Sequence, residues 1–210
     1  MSDIIAAVAT ARGRAALGII RLSGEGAAAL AEAVFRPQKG GLLRDFGPHR
    51  LVLGEAVDEE GRVLDQVLCT YALGPRSFTG EDTAEFQCHG SPAALQELLH
   101  TLLRQGARMA LPGEFSRRAF LNGRLDLSQA EAIMDLIDAK TPLGVRNAAM
   151  QLRGAVTQKT EKIYDLLLGL LAHFQAVVDY PEEGVEPLEA AETADTLAQA
   201  AGQLGRLRDG

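Results

Sequence analysis

Three charged residues, far apart in the chain, stand where a charge is unexpected and where its chemistry would serve a polar ligand. Arg21 interrupts the apolar run LGIIRLSG, Glu85 sits inside TAEFQCHG, and Arg124 lies between FLNG and LDLSQAEA. In a strand, side chains alternate between faces, so Arg21 points away from Ile20 and Leu22. By the same rule Glu85 shares a face with Thr83 and Gln87, while Ala84 and Phe86 take the other. A strand carboxylate aimed into a cleft suits a ligand edge with two adjacent N–H donors, such as the 2-amino-pyrimidinone edge of a pterin, which it accepts as it would an arginine fork. The alternative is that Glu85 pairs with an arginine across the sheet, and spacing does not separate the two.

Arg124 is placed by punctuation. Asn122-Gly123 follows the helix-compatible run Phe115 to Leu121, and glycine is favoured just past a helix end. Asp126 stands three residues before Gln129 and Ser128 three before Glu131, two overlapping capping pairs ahead of an apolar run. Leu127, Ala130, Ile133, Met134 and Ile137 recur at helical spacing. A very short connector between two helices therefore restricts the direction of Arg124.

The elements before it read as a mixed set. DIIAAVAT and LGIIRLSG are strand-like, EGAAALAEAVF is helical, and RLVLGEAV with VLDQVLCTYAL forms a hairpin around DEEGR. GPRSFTGED is a loop, TAEFQCHG a strand, SPAALQELLHTLLRQG a helix with Ser91 as cap and Pro92 first, and ARMAL a short strand. Hairpins without regular βα alternation favour an α+β domain. From Phe115 onward only helical patterns remain: SQAEAIMDLIDAKT, the long run Leu143 to Tyr180, and LEAAETADTLAQAAGQLGRL. The window Ile163 to Tyr180 reads as a buried helix rather than a membrane span, being broken by Asp165, His173 and Gln175. Pro181 and its acidic neighbours mark a solvated bend. RLRDG carries no cap, and the expectation is a fragment.

Composition narrows the classes. Of 210 residues, 47% are hydrophobic, enough for a real core. Residues up to Lys162 hold 19 acids and 19 bases, whereas Ile163 to Gly210 hold nine acids and two bases. Without a partner this chain is then expected to bind bare nucleic-acid backbone poorly, since affinity for phosphate comes from clustered Lys and Arg, and any nucleic-acid recognition is expected to be shared with something else. No secretory pattern opens the sequence and no membrane segment follows, so a cytoplasmic protein is expected. Cys69 and Cys88 lack CxxC spacing and the four histidines are scattered, so no metal site is expected. No Gly-Lys pair occurs, hence no P-loop, and GxSxG is absent. No catalytic residue can be nominated from spacing.

GPRSFTGEDTAEFQCHG, PGEFSRRAFLNGRLDLSQAEAIMDLIDA, ARGRAALGIIRLSG and VVDYPEEG closely resemble the MnmE (TrmE) family of tRNA modification GTPases, almost end to end. The resemblance implies an N-terminal tetrahydrofolate-binding domain similar to the glycine cleavage T protein, over residues 1–116, which also forms a homodimer. It implies a helical domain over residues 117–210, truncated before the inserted GTPase domain that would bind GTP, Mg²⁺ and K⁺. The implied activity, shared with the FAD-dependent partner MnmG in a heterotetramer, is installing an aminomethyl or carboxymethylaminomethyl group at C5 of the wobble uridine of certain tRNAs. The implied one-carbon donor is 5-formyltetrahydrofolate or 5,10-methylenetetrahydrofolate, and the family's folate contacts map onto Arg21, Glu85 and Arg124. The family commonly carries lysine at Arg124 and Gly-His-Gly-Gly where this chain has Cys88-His89-Gly90-Ser91. Two rivals stand beside this reading: a free-standing aminomethyltransferase-like folate protein, and a non-catalytic interaction module.

Overall fold

The computed structural model describes residues 3–180, 182, 184 and 186–209, so the expected bend at Pro181 lies outside the described residues. The chain divides into two compact units, residues 1–125 and 126–210. The helix over Glu114–Leu121, within which the boundary expected between residues 116 and 117 falls, groups with the first unit.

The first unit is α+β. Alternating apolar residues give β1 (Ile5–Val8) and β2 (Ala15–Ser23), which pair antiparallel. The alanine-rich run gives α1 (Ala27–Ala33), followed by β3 (Phe35–Pro37), a three-residue edge strand that the sequence reading missed. The expected hairpin is β4 (Val52–Val57) with β5 (Val63–Ala72), and β6 (Thr83–Gly90) returns beside β5. Helix α2 (Pro92–Arg104) begins after Ser91, whose side chain makes no capping bond, and β7 (Arg108–Met109) closes the sheet. The strand order is β3-β4-β5-β6-β2-β1-β7, antiparallel except for the parallel pair β1 and β7.

One face of this sheet makes the core. Ile20, Leu22, Val67, Cys69, Ala84 and Phe86 are buried together with Ala31 of α1 and with Leu95, Leu98 and Leu102 of α2. Phe35 meets Phe86 edge to face with centroids 6.2 Å apart. Close approach of α2 needs a glycine, because a Cβ at Gly18 would overlap the Leu95 side chain. The opposite face carries the polar partners of this alternation, Arg21 and Glu85 among them.

Helix α3 (Glu114–Leu121) is fastened to the first unit by charge. Glu114 takes two bonds from Arg108, at 2.6 and 3.0 Å, one from the Leu111 amide and one from Arg118. Asp3 joins through Arg108 and Arg118. Bonds from Arg108 hold both carboxyls well below their ordinary values, at about 2, with Arg118 contributing at each.

In the second unit, α4 (Leu127–Asp138) starts on the Asp126–Gln129 capping box; Ser128 lies inside the helix, so the second capping pair is not formed. The long run from Leu143 splits into α5 (Pro142–Leu152) and α6 (Ala155–Asp179) at Gly154, whose φ is +80°. Helix α7 (Ala190–Asp209) returns along α6. The apolar window of α6 is helical but not buried, a correction to the sequence reading: Ile163 is 3% exposed, whereas Leu171, Phe174 and Val178 are exposed, the last at 75%. Periodicity reports an apolar face and not what covers it. Among the described residues no helix is long and apolar enough to cross a membrane.

Candidate functional site

Residues 64 apart in sequence become neighbours because β2 and β6 pair in a register that sets Arg21 directly opposite Glu85. The Arg21 Nε–H donates to Glu85 Oε1 at 2.6 Å, and the two side chains are 29% and 28% exposed. This is the cross-strand pair that the sequence left open. A carboxylate offers about four lone-pair sites, so one Arg21 bond leaves most of its acceptor capacity in place. The guanidinium also stacks over two rings, 5.3 Å from the Phe78 centroid and 5.8 Å from that of Phe115.

Glu85 lines a cavity of about 190 Å³ together with His49, Thr70, Ser77, Phe78 and Thr83. Thr70 is the β5 residue paired with Glu85 in the ladder, so the cavity floor is a row of one sheet face. The wall is the loop between β5 and β6, which carries Ser77 and Phe78.

That loop is tied down at several points. Ser23 Oγ hydrogen-bonds Thr79 Oγ1 at 2.6 Å and donates to Glu81 Oε2 at 2.8 Å. Arg118 Nη1 reaches the same Glu81 oxygen at 2.9 Å. Ser77 Oγ donates to the Glu81 carbonyl, and Asn122 Nδ2 to the Thr79 carbonyl at 2.8 Å. Arg124 completes the set: its Nε–H donates to the Ser77 carbonyl at 3.1 Å. Gly80 has φ +78°, and a Cβ there would press on Asn122 Cβ and Arg124 Cγ at 3.0 and 3.1 Å. The segment after α3 thus clamps the loop that presents Phe78.

Of the three candidate residues Glu85 alone lines the cavity; Arg21 is joined to it through the ion pair, and Arg124 stands off the wall and acts on it through the Ser77 backbone. Sequence reasoning did not single out His49, Phe78 or Phe115. His49 is a non-glycine residue at φ +60°, its amide bonded to the Tyr71 carbonyl at 2.8 Å. A β-carbon in that region is strained, and strained residues gather at ligand sites. The signal that could have marked it is the Gly-Pro-His-Arg turn, whose glycine and proline announce tight backbone but not its destination.

The cysteines supply no nucleophile here. Cys69 and Cys88 are free and buried, and burial pushes the Cys88 thiol up to about 12, with the Asp65 carboxylate adding to it. Among the described residues no group of three or more His, Cys, Asp or Glu is arranged to hold a metal ion.

Residues 4–124 match the family described as "GTP-binding protein TrmE N-terminus", and residues 127–210 match "MnmE helical domain". The chain belongs to the MnmE family. Curated relatives bearing the name "tRNA modification GTPase MnmE" include that of Heliobacterium modesticaldum, 46% identical over 98% of this chain and 44% of that protein. A Thermus thermophilus protein of the same name is 46% identical over 99% of this chain and 48% of its own length. That of Alkaliphilus oremlandii is 41% identical over the whole of this chain and 46% of its own. The chain thus spans about half the length of the MnmE proteins it matches. Arg124 is the last residue of the N-terminal match, one before the end of the first compact unit, so all three candidate residues fall within one MnmE domain.

Proposed function

We propose that this chain is the folate-binding and dimerising part of an MnmE-type enzyme of tRNA modification. Working with the FAD-dependent MnmG, the complete cytoplasmic enzyme installs an aminomethyl or carboxymethylaminomethyl group at C5 of the wobble uridine. In this reading GTP hydrolysis, with its Mg²⁺ and K⁺, belongs to a domain outside these 210 residues.

The observation that carries the folate assignment is Glu85 in the cavity floor, bonded to Arg21, with the Phe78 ring lining the same cavity. Residues and ligand fit in kind. A carboxylate accepts the paired N–H donors of a pterin edge, Phe78 offers a stacking surface, and Thr70 and His49 add hydrogen-bonding groups. About 190 Å³ is below the ~300–1,000 Å³ of whole-ligand pockets. The cavity takes the bicyclic head of a reduced folate and leaves the rest of the molecule outside. Bound there, 5-formyl- or 5,10-methylenetetrahydrofolate supplies the one-carbon unit. Arg21 acts as a positioning residue, holding the carboxylate in one rotamer, and Arg124 holds the loop that carries Phe78.

The same ion pair favours a second reading, in which Arg21 and Glu85 only fasten β2 to β6. Calorimetric titration with 5-formyltetrahydrofolate separates the two. Glu85→Gln keeps the shape and an acceptor for Arg21 but turns an amide donor toward the pterin N–H groups. Loss of a charge-assisted bond of about 1.5–3 kcal/mol weakens binding about 10- to 100-fold. Equal affinity of the parent and a folded Glu85→Gln protein refutes the folate assignment and leaves a structural pair.

A further inference from the structure

The second unit is acidic, with fourteen Asp and Glu against seven Lys and Arg in residues 126–210, yet three of its cations meet at one place. Lys159 and Lys162 of α6 and Arg206 of α7 line a cavity of about 250 Å³ with Gln203, Ile163 and Leu207. The lysines lie one turn apart near the start of α6, and Arg206 lies near the end of α7. The return of α7 along α6 is what joins them. Among the described residues no carboxylate lines this cavity; Glu161 and Asp165, the acids of α6 nearest the two lysines in sequence, are not among its lining residues. Among the described residues Lys159, Lys162 and Arg206 make no ion pair. The other arginines with ion pairs, such as Arg104 and Arg118, show that this chain supplies carboxylate partners where cations are structural.

We infer that this cavity is an oxyanion site for a phosphate group. Three like charges around one opening repel one another, and an anion placed among them relieves that repulsion and takes charge-assisted bonds from each. Ile163 is buried beneath them, so the anion meets an apolar floor that strengthens its attraction to the cations. Gln203 adds a neutral donor, and the arginine supplies a fork matched to two phosphate oxygens. A volume of about 250 Å³ has room for one phosphate group with part of its hydration. The unit's net negative charge disfavours polyanions elsewhere on it, which confines binding to this opening. Such a phosphate belongs either to a nucleic-acid backbone or to a free phosphate compound, and the chemistry recognised is the same.

The test is a ³¹P NMR titration of the 210-residue chain with inorganic pyrophosphate at low salt. The parent saturates, and the double variant Lys162→Gln/Arg206→Gln binds at least tenfold more weakly. A control double variant, Lys140→Gln/Arg146→Gln, removes two cations of the same unit from outside the cavity and binds within twofold of the parent. Circular dichroism monitors helix content, and Lys159→Gln alone, expected to lose a smaller factor, serves should the double variant lose structure. A parallel arm measures anisotropy of a labelled tRNA transcript. Weakened RNA binding by the cavity variants only, with competition by pyrophosphate, assigns the phosphate to a nucleic-acid backbone; unchanged RNA binding assigns it to a free phosphate compound. No saturation by the parent, or equal pyrophosphate affinity of the parent and both cavity variants, overturns the site.

Discussion

Replacing Arg124 by alanine removes the Nε–H bond to the Ser77 carbonyl at 3.1 Å and the side-chain stem that lies against Gly80. The bond is charge-assisted but its donor is exposed, so its net contribution is about 0.5–1.5 kcal/mol. Global stability falls by no more than that, because the loop keeps Asn122 on Thr79, Ser23 on Thr79 and Glu81, and Arg118 on Glu81. The effect concentrates in the segment from Arg76 to Glu81. If Arg124 holds that segment, its opening becomes about 2- to 10-fold more frequent, the range that about 0.5–1.5 kcal/mol implies. Hydrogen exchange read by mass spectrometry on the peptide containing Ser77 to Glu81 measures this, and trypsin cleavage after the exposed Arg76 gives an independent rate. Arg124→Lys retains a cation near the same carbonyl and falls between the parent and alanine. Unchanged exchange and cleavage in Arg124→Ala, with Asn122→Ala as a positive control, would refute the clamp.

Other outcomes follow from the same geometry. His49→Gly relieves a left-handed conformation that costs a β-carbon residue about 1–2 kcal/mol, less about 0.5–1 for glycine's chain entropy, so urea unfolding shows equal or slightly higher stability while 5-formyltetrahydrofolate binds more weakly. Lower stability by more than about 1 kcal/mol would assign the imidazole a packing role instead. Asp3 and Glu114 have carboxyls lowered to about 2 from ordinary values of 3.8 and 4.5. Depressed values stabilise the fold fully above the ordinary range, and that contribution is lost as pH falls from about 4.5 through about 2. The urea midpoint of Glu114→Gln therefore depends less on pH across that window than the parent's, and parallel curves would remove the network from acid stability. The proposed dimer sediments as such at micromolar concentration, and a clean monomer argues against it.

Much of the first unit was legible because its signals are local. Period-two alternation located β2 and β6, the hairpin residues located β4 and β5, and Asn122-Gly123 with the Asp126–Gln129 pair fixed where one helix ends and the next begins. Phe35–Pro37 escaped because three residues ending in proline carry no alternation, and an edge strand needs only its partner. What was not legible is register. Nothing within either strand says that residue 21 faces residue 85, and this pairing decides whether the carboxylate that lines the cavity is free or already bonded to an arginine. His49 was invisible for the same reason, since its value lies in what the turn is bonded to. In the helical unit the apolar stripe of α6 was read correctly as helix and wrongly as buried, because burial depends on a covering surface that a stripe does not specify.

In the proposed function Glu85 receives the pterin head of a reduced folate. The most direct measurement is a crystal structure of the 210-residue chain grown with 5-formyltetrahydrofolate. The expected structure has pterin N–H donors at about 2.7–2.9 Å from the Glu85 carboxylate oxygens, the ring against Phe78, and Arg21 still bonded to the same carboxylate. A folate seated elsewhere, with Glu85 bonded to Arg21 alone, would contradict it.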